Sequence, residues 1–209
     1  DDLLVGKAGN FFGGSARGLN KSLTVVDSIK VFPKNIEIQF KGPVAGGTMK
    51  NFHYSISKIE GSRGFKPRAA DERVGYFVTN YTDLGMFDWS DTSQRLINRW
   101  HIEKADPKLK LSPPKEPMVY YVDHTVPIRY RRYVKQGIEY WNEAFREIGI
   151  DGAIQVQYQD KTTGANMEKD PEDVRYNFIR WISNDVATAI GPSRVNPMTG
   201  EILDADVVL

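Results

Sequence analysis

The sequence predicts an α+β chain: an antiparallel β region first, then a mixed α/β sheet backed by one long helix. Three observations predict it. Strand-like alternation dominates from Ser22 to about Glu103. One apolar stripe, Val134, Ile138, Trp141, Phe145 and Ile148, then repeats at helical spacing. Strand signals resume beyond it, from "AIQVQYQ" to the closing run "ILDADVVL".

Residues 1–21 include "GKAGNFFGGSARGLN" and read as a Gly-rich leading loop. No GKS or GKT closes that run, which argues against a phosphate-cradling loop. Residues 22–103 form the antiparallel β-rich region. Here "SLTVVDSIKVF" is one strand, and "NIEIQFKG" sets Ile36, Ile38 and Phe40 on one face against Glu37 and Gln39 on the other. Pro33 between them demands a turn or bulge, since it has no N–H for a ladder. "FHYSISKI", "GYFVTNY" and "QRLINRWHIEK" supply further strands. Residues 104–117, "KADPKLKLSPPKEP", are rich in Pro and Lys and read as a linker.

In residues 118–209, "MVYYVDH" is a strand and Pro127 suits the first turn of the helix that follows. Gly149 is the expected stop. The strand, helix and next strand form a βαβ unit. "VRYNFIRWIS" and "ATAIGPSRV" supply strand segments. The turn "NPMTGE" then makes a hairpin-like excursion, and "ILDADVVL" reads as one buried final strand.

Lys and Arg total 28 and Asp and Glu 27, so the formal charge of +1 argues against a nucleic-acid partner. No apolar run approaches the roughly 20 residues needed to span a bilayer. Cysteine is absent, which removes thiolate chemistry and disulfides. His53, His101 and His124 stand in separate strand contexts without a second His at ligand spacing, and each reads as an ordinary strand or surface residue. Arg129, Arg131 and Arg132 read as a solvated helix face. Asp204 and Asp206 share one strand face. With Asp170 and Asp173 they are candidate ligands for a calcium ion, against the simpler reading of hydrogen-bonded carboxylates at a strand end.

The order strand, long helix, strand, strand, antiparallel edge strand, strand resembles the upper half of a metzincin-type zinc endopeptidase. Seven segments carry the likeness further: "FPKNIEIQF", "GYFVTNYTDLG", "INRWHIEKADP", "EPMVYYVDHTVP", "GIEYWNEAFREIGI", "DPEDVRYNFIRWIS" and "NPMTGEILDADVVL". They resemble, in that order, a family of large bacterial zinc-dependent metalloproteases, many known only as domains of unknown function. The resemblance runs from about Ser22 to Leu209.

It implies a secreted, periplasmic or envelope parent enzyme that hydrolyses peptide bonds. In that family the strand matching "ILDADVVL" precedes a helix with H-E-x-x-H, two zinc-binding His and a Glu base. The present sequence contains no H-E-x-x-H. The resemblance therefore implies zinc ligands beyond Leu209 and a chain inactive by itself. Its partners would be the catalytic half and a peptide or protein substrate. Residues 118–209 would be the upper catalytic subdomain, and Val186, Ala187, Thr188, Ala189, Ile190 and Gly191 the edge strand that pairs with extended substrate. Pro192 would end that pairing. A second reading is a non-catalytic module that binds a peptide or partner through the same edge. On the peptidase reading the covering helix lies beyond Leu209, so Val207, Val208 and Leu209 are expected to fray or to be covered by a neighbouring molecule.

Overall fold

The structure, a computed structural model, describes residues 18–85, 87, 92–182 and 188–209. The chain is α+β and divides into two compact units, Asp1–Lys58 and Ile59–Leu209.

In the first unit, Asn20 caps a short 3-10 turn, Lys21–Leu23, by accepting from the Ser22 N–H at 3.1 Å. Strands β1 (Val25–Val31), β2 (Asn35–Pro43) and β3 (Met49–Ser57) then form an antiparallel meander. Pro33 sits in the first turn, which is closed by the Phe32 N–H on the Asn35 carbonyl at 2.8 Å. The second turn uses Gly46 and Gly47 at φ +84° and +76°, a left-handed backbone that suits glycine.

Cross-strand pairing builds apolar rows: Val26–Phe40–Phe52, Ile29–Ile38–Tyr54 and Val31–Ile36–Ile56. A bulge in β1 between Val26 and Ser28 returns Ile29 to the face of Val26 despite the odd spacing. Val44 and Phe52 are buried among Leu19, Phe40 and Tyr54. Towards the other end Ile29, Val31, Ile36 and Ile56 are exposed. The alternation read from the sequence holds, but burial at that end falls on Glu37 and Asn35, on the polar face.

The second unit opens with an antiparallel pair, β4 (Val78–Thr82) and β5 (Ser93–Ile97). The strand expected from "QRLINRWHIEK" stops at Ile97. Arg99 instead bonds the other way, its N–H to the Gly200 carbonyl and its carbonyl to the Ile202 N–H. Next come β6 (Met118–Val122), helices α1 (Ile128–Glu139) and α2 (Trp141–Glu147), β7 (Ile154–Tyr158) and β8 (Asn177–Arg180). Last are β9 (Ser193–Val195), β10 (Ile202–Ala205) and β11 (Val207–Val208). Four of these form a parallel sheet in the order β7–β6–β8–β11.

The expected single helix is interrupted only at Tyr140, which keeps helical angles of φ −57° and ψ −31°. Val134 and Ile138 pack on Val122, Val126, Val156 and Ile179, while Ile138 and Phe145 cover Met118, Ile150, Ala153 and Ile154. Trp141 and Ile148 leave the predicted stripe and stand 63% and 65% exposed. The buried arc is rotated because Asn142 takes a sheet-facing place. Its amide donates to the Ile154 carbonyl at 2.9 Å and accepts the Ile154 N–H at 2.8 Å, which ties helix to strand at the mouth of β7. Gly149 does end the helix, at φ +85°, where a Cβ would come within 2.5 Å of the Lys110 carbonyl.

The Pro/Lys-rich residues 104–117 are folded within the second unit. Ser112 is buried and bonds Gly149 and Asp151 through its backbone, and Lys104 Nζ binds the Leu109 and Lys110 carbonyls. The final run is two strands rather than one. β10 pairs with β9 across the Asn196–Gly200 turn, and β11 pairs with β8 in parallel. Val207 and Leu209 pack in the second core cluster, and the Leu209 N–H reaches the Arg180 carbonyl at 2.8 Å. Parallel pairing with β8 and these core contacts engage the segment that is expected to fray or to need outside cover.

Candidate functional site

Of the six residues assigned to substrate pairing, Val186 and Ala187 lie outside the described residues. Thr188 and Ala189 are exposed and form no strand. Ile190 forms one antiparallel rung with Val208, donating at 2.9 Å and accepting at 2.7 Å, on the outer side of β11. In such a rung the polar groups of the two neighbours point the opposite way. Gly191 and Ala189 accordingly turn their N–H groups outward, and neither has a backbone partner among the described residues. A Cβ on Gly191 would meet nothing nearer than 3.9 Å.

Asp204 and Asp206 are brought together, but Asp170 and Asp173 are engaged elsewhere. The Asp173 carboxylate pairs with Arg175 at 2.6 Å, and Asp170 accepts the Glu172 N–H in its own turn. Burial raises Asp173 but the Arg175 bonds outweigh it, leaving the group below the usual carboxylate range. Asp204 Oδ1 lies 2.6 Å from Arg194 Nη2, and Asp206 accepts the Phe178 N–H at 2.7 Å. Burial pushes both carboxyls up, and Asp206 reaches about 6 with the Asp204 charge beside it. Tyr120 is pushed to about 12 by burial and then by the two carboxylates. Asp204 is ion-paired with Arg194 and Asp206 is hydrogen-bonded to the β8 backbone. Among the described residues no three His, Cys, Asp or Glu side chains gather to hold a metal ion.

Each histidine has a specific partner. His53 Nε2 meets Glu37 Oε2 at 2.7 Å. The same buried carboxylate accepts from Ser55 at 2.6 Å and Asn35 at 2.5 Å. His101 lies edge-on to Phe65 and 3.4 Å from Glu103. His124 Nδ1 lies 2.8 Å from Asp123 Oδ1 and 3.5 Å from Gln159 Oε1. Asp123 is buried directly after β6. It accepts the Thr125 N–H at 3.0 Å on Oδ1 and Arg180 Nε at 3.2 Å on Oδ2.

Arg131 corrects the solvated-face reading of its cluster. Its guanidinium binds three carbonyls, those of Val126, His124 and Gln159, at 2.9–3.1 Å. Sequence reasoning passed over Asp123 and Arg180. The available signal was an acid directly after a buried strand, "VYYVDH", since burying a charge requires a partner.

These features define an α+β chain whose second unit carries a parallel sheet with an antiparallel rung at one edge. Residues 6–105 match a family model described as a domain of unknown function, DUF5117. That stretch takes in the β1–β3 meander and the β4–β5 pair. No curated protein and no solved structure matches the chain. No helix among the described residues is long and apolar enough to cross a membrane.

Proposed function

We propose that this chain is the scaffold and substrate rim of a zinc-dependent metalloendopeptidase that acts outside the cytoplasm. The observation that carries the reading is the sheet order β7–β6–β8–β11 with an antiparallel rung at Ile190 beyond β11. The metzincin-like part of the reading rests on the resemblance of the sequence segments. The residues present do not fit a catalytic zinc ion, because no three suitable side chains gather among those described. No hydrolytic step is therefore assigned to them.

The work of this chain would be binding. An extended peptide would pair with the outward groups of Ala189 and Gly191, extending the sheet past Ile190. Pro192 has no N–H and would end the pairing. The coding sequence past Leu209 tests the catalytic part. An H-E-x-x-H motif there supports the reading, and a continuation without one sinks it.

A second reading is favoured by one observation, the exposed apolar row Ile29, Val31, Ile36 and Ile56. Contiguous exposed apolar surface marks partner contact, so the chain would be a non-catalytic binding module. Zinc content separates the two. A metal-free, peptide-binding full-length protein would favour the module.

A further inference from the structure

We propose that Asp123, His124 and Arg180 form a binding site for a carboxylate that carries a hydrogen-bond donor on its neighbouring carbon. The site stands apart from the peptidase reading, since it needs neither zinc nor the edge at Ile190.

Position comes first. From β6 the chain crosses to β7 on one side, and β8 then lies on the other. Loops leaving β6 and β8 therefore diverge, and such switch points at the carboxyl ends of parallel strands are where α/β sheets hold ligands. Asp123 follows β6 and Arg180 ends β8. The Trp181 N–H on Thr125 Oγ1, at 3.3 Å, ties the two strand ends together.

Chemistry comes second. The buried Asp123 carboxylate holds Arg180 by one oxygen and His124 by the other. Gln159 is fixed by its Nε2, which donates to the Asn166 and Lys169 carbonyls at 3.0 and 2.8 Å, so Oε1 faces His124. Two acceptors surround Nδ1, and the network therefore assigns a hydrogen to Nδ1, which in the neutral ring leaves Nε2 as the acceptor. Nε2 has no partner among the described residues. Arg180 uses only Nε, so Nη1 and Nη2 are likewise without partners there. A guanidinium fork can grip a carboxylate through two parallel N–H bonds, and Arg180 does not use its fork in that way on Asp123. Here the fork is left to solvent, with Arg180 40% and His124 29% exposed. The guanidinium of Arg131, against the His124 and Gln159 carbonyls, adds positive charge to this edge.

The unused groups define the ligand. Nη1 and Nη2 take the two carboxylate oxygens, and Nε2 accepts from a hydroxyl or amide N–H on the adjacent carbon. A 2-hydroxy acid and a peptide C-terminus both have that pattern.

The test is titration of the 1–209 chain with lactate, N-acetylglycine, acetate and N-acetylglycinamide, read by ¹⁵N shifts of the His124 ring and the Thr125 and Trp181 amides. Saturable shifts are expected with lactate or N-acetylglycine. Acetate, which lacks the donor, should bind at least about tenfold more weakly, and the carboxylate-free amide should not bind. Preference for N-acetylglycine assigns a peptide C-terminus, and preference for lactate a hydroxy acid. Arg180→Lys keeps the charge beside Asp123 but loses the fork, and should weaken binding about tenfold or more. Arg180→Met should abolish it, with a dispersed spectrum confirming the fold. No saturable response to any probe, or equal binding by Arg180→Lys, would overturn the proposal.

Discussion

The Asp206 carboxylate accepts a 2.7 Å hydrogen bond from the Phe178 N–H, which fastens the approach to β11 onto β8. The same carboxyl is pushed up to about 6, first by burial and then by the charge of Asp204. The folded state therefore holds this proton more tightly than the unfolded chain does. Stabilisation from protonation is fully present below the unfolded value near 4, and it is lost as pH rises through about 6. Thermal melts should show the second unit more stable at pH 4.5 than at pH 7, by about 2 kcal/mol from this group. Asp206→Asn keeps an acceptor for Phe178 without the charge, and should flatten that part of the pH profile. A profile that Asp206→Asn leaves unchanged would contradict the assignment.

The Glu37 cluster is expected to govern the first unit. Three side chains donate to or face one buried carboxylate. Glu37→Leu leaves Asn35, Ser55 and His53 without that acceptor and should cost about 1–3 kcal/mol. Chemical denaturation followed at the β1–β3 residues reads it directly.

Arg131→Met should destabilise the second unit by about 2–3 kcal/mol, because three main-chain carbonyls lose a charged donor. Arg129→Met and Arg132→Met should change stability by less than about 0.5 kcal/mol, as exposed substitutions do. Equal effects at all three positions would restore the solvated-face reading.

Asn142→Leu should lower stability by about 1–3 kcal/mol although it adds apolar surface to a sheet-facing helix position. Both polar groups of Ile154 would lose their partner. Loss of amide protection at Ile154 is the expected signature.

Periodicity made much of this fold legible. The strands of the meander, the βαβ unit and the Gly149 stop follow from short-range pattern and backbone sterics. What pattern could not show was long-range pairing. Asn142 displaced Trp141 from the buried arc because it satisfies a strand end twelve residues away. "ILDADVVL" reads as one apolar strand, yet its halves bond to different partners, Ser193–Val195 and Asn177–Arg180. His124 looked ordinary because Gln159 and Arg180, which join it and its neighbour Asp123, are brought there only by the folded sheet. The reversal at Glu37 has the same origin: alternation identifies the two faces of a strand but not which one is covered.

Hydrogen exchange at the β11 edge, with and without an extended peptide, tests the central claim most directly. Without peptide, the Ile190 and Val208 amides should be protected by their mutual bonds, while the Ala189 and Gly191 amides exchange freely. Adding peptide should slow Ala189 and Gly191 and leave Ile190 unchanged. Peptide binding that leaves Ala189 and Gly191 exchanging freely, or protects a different surface, would contradict the account.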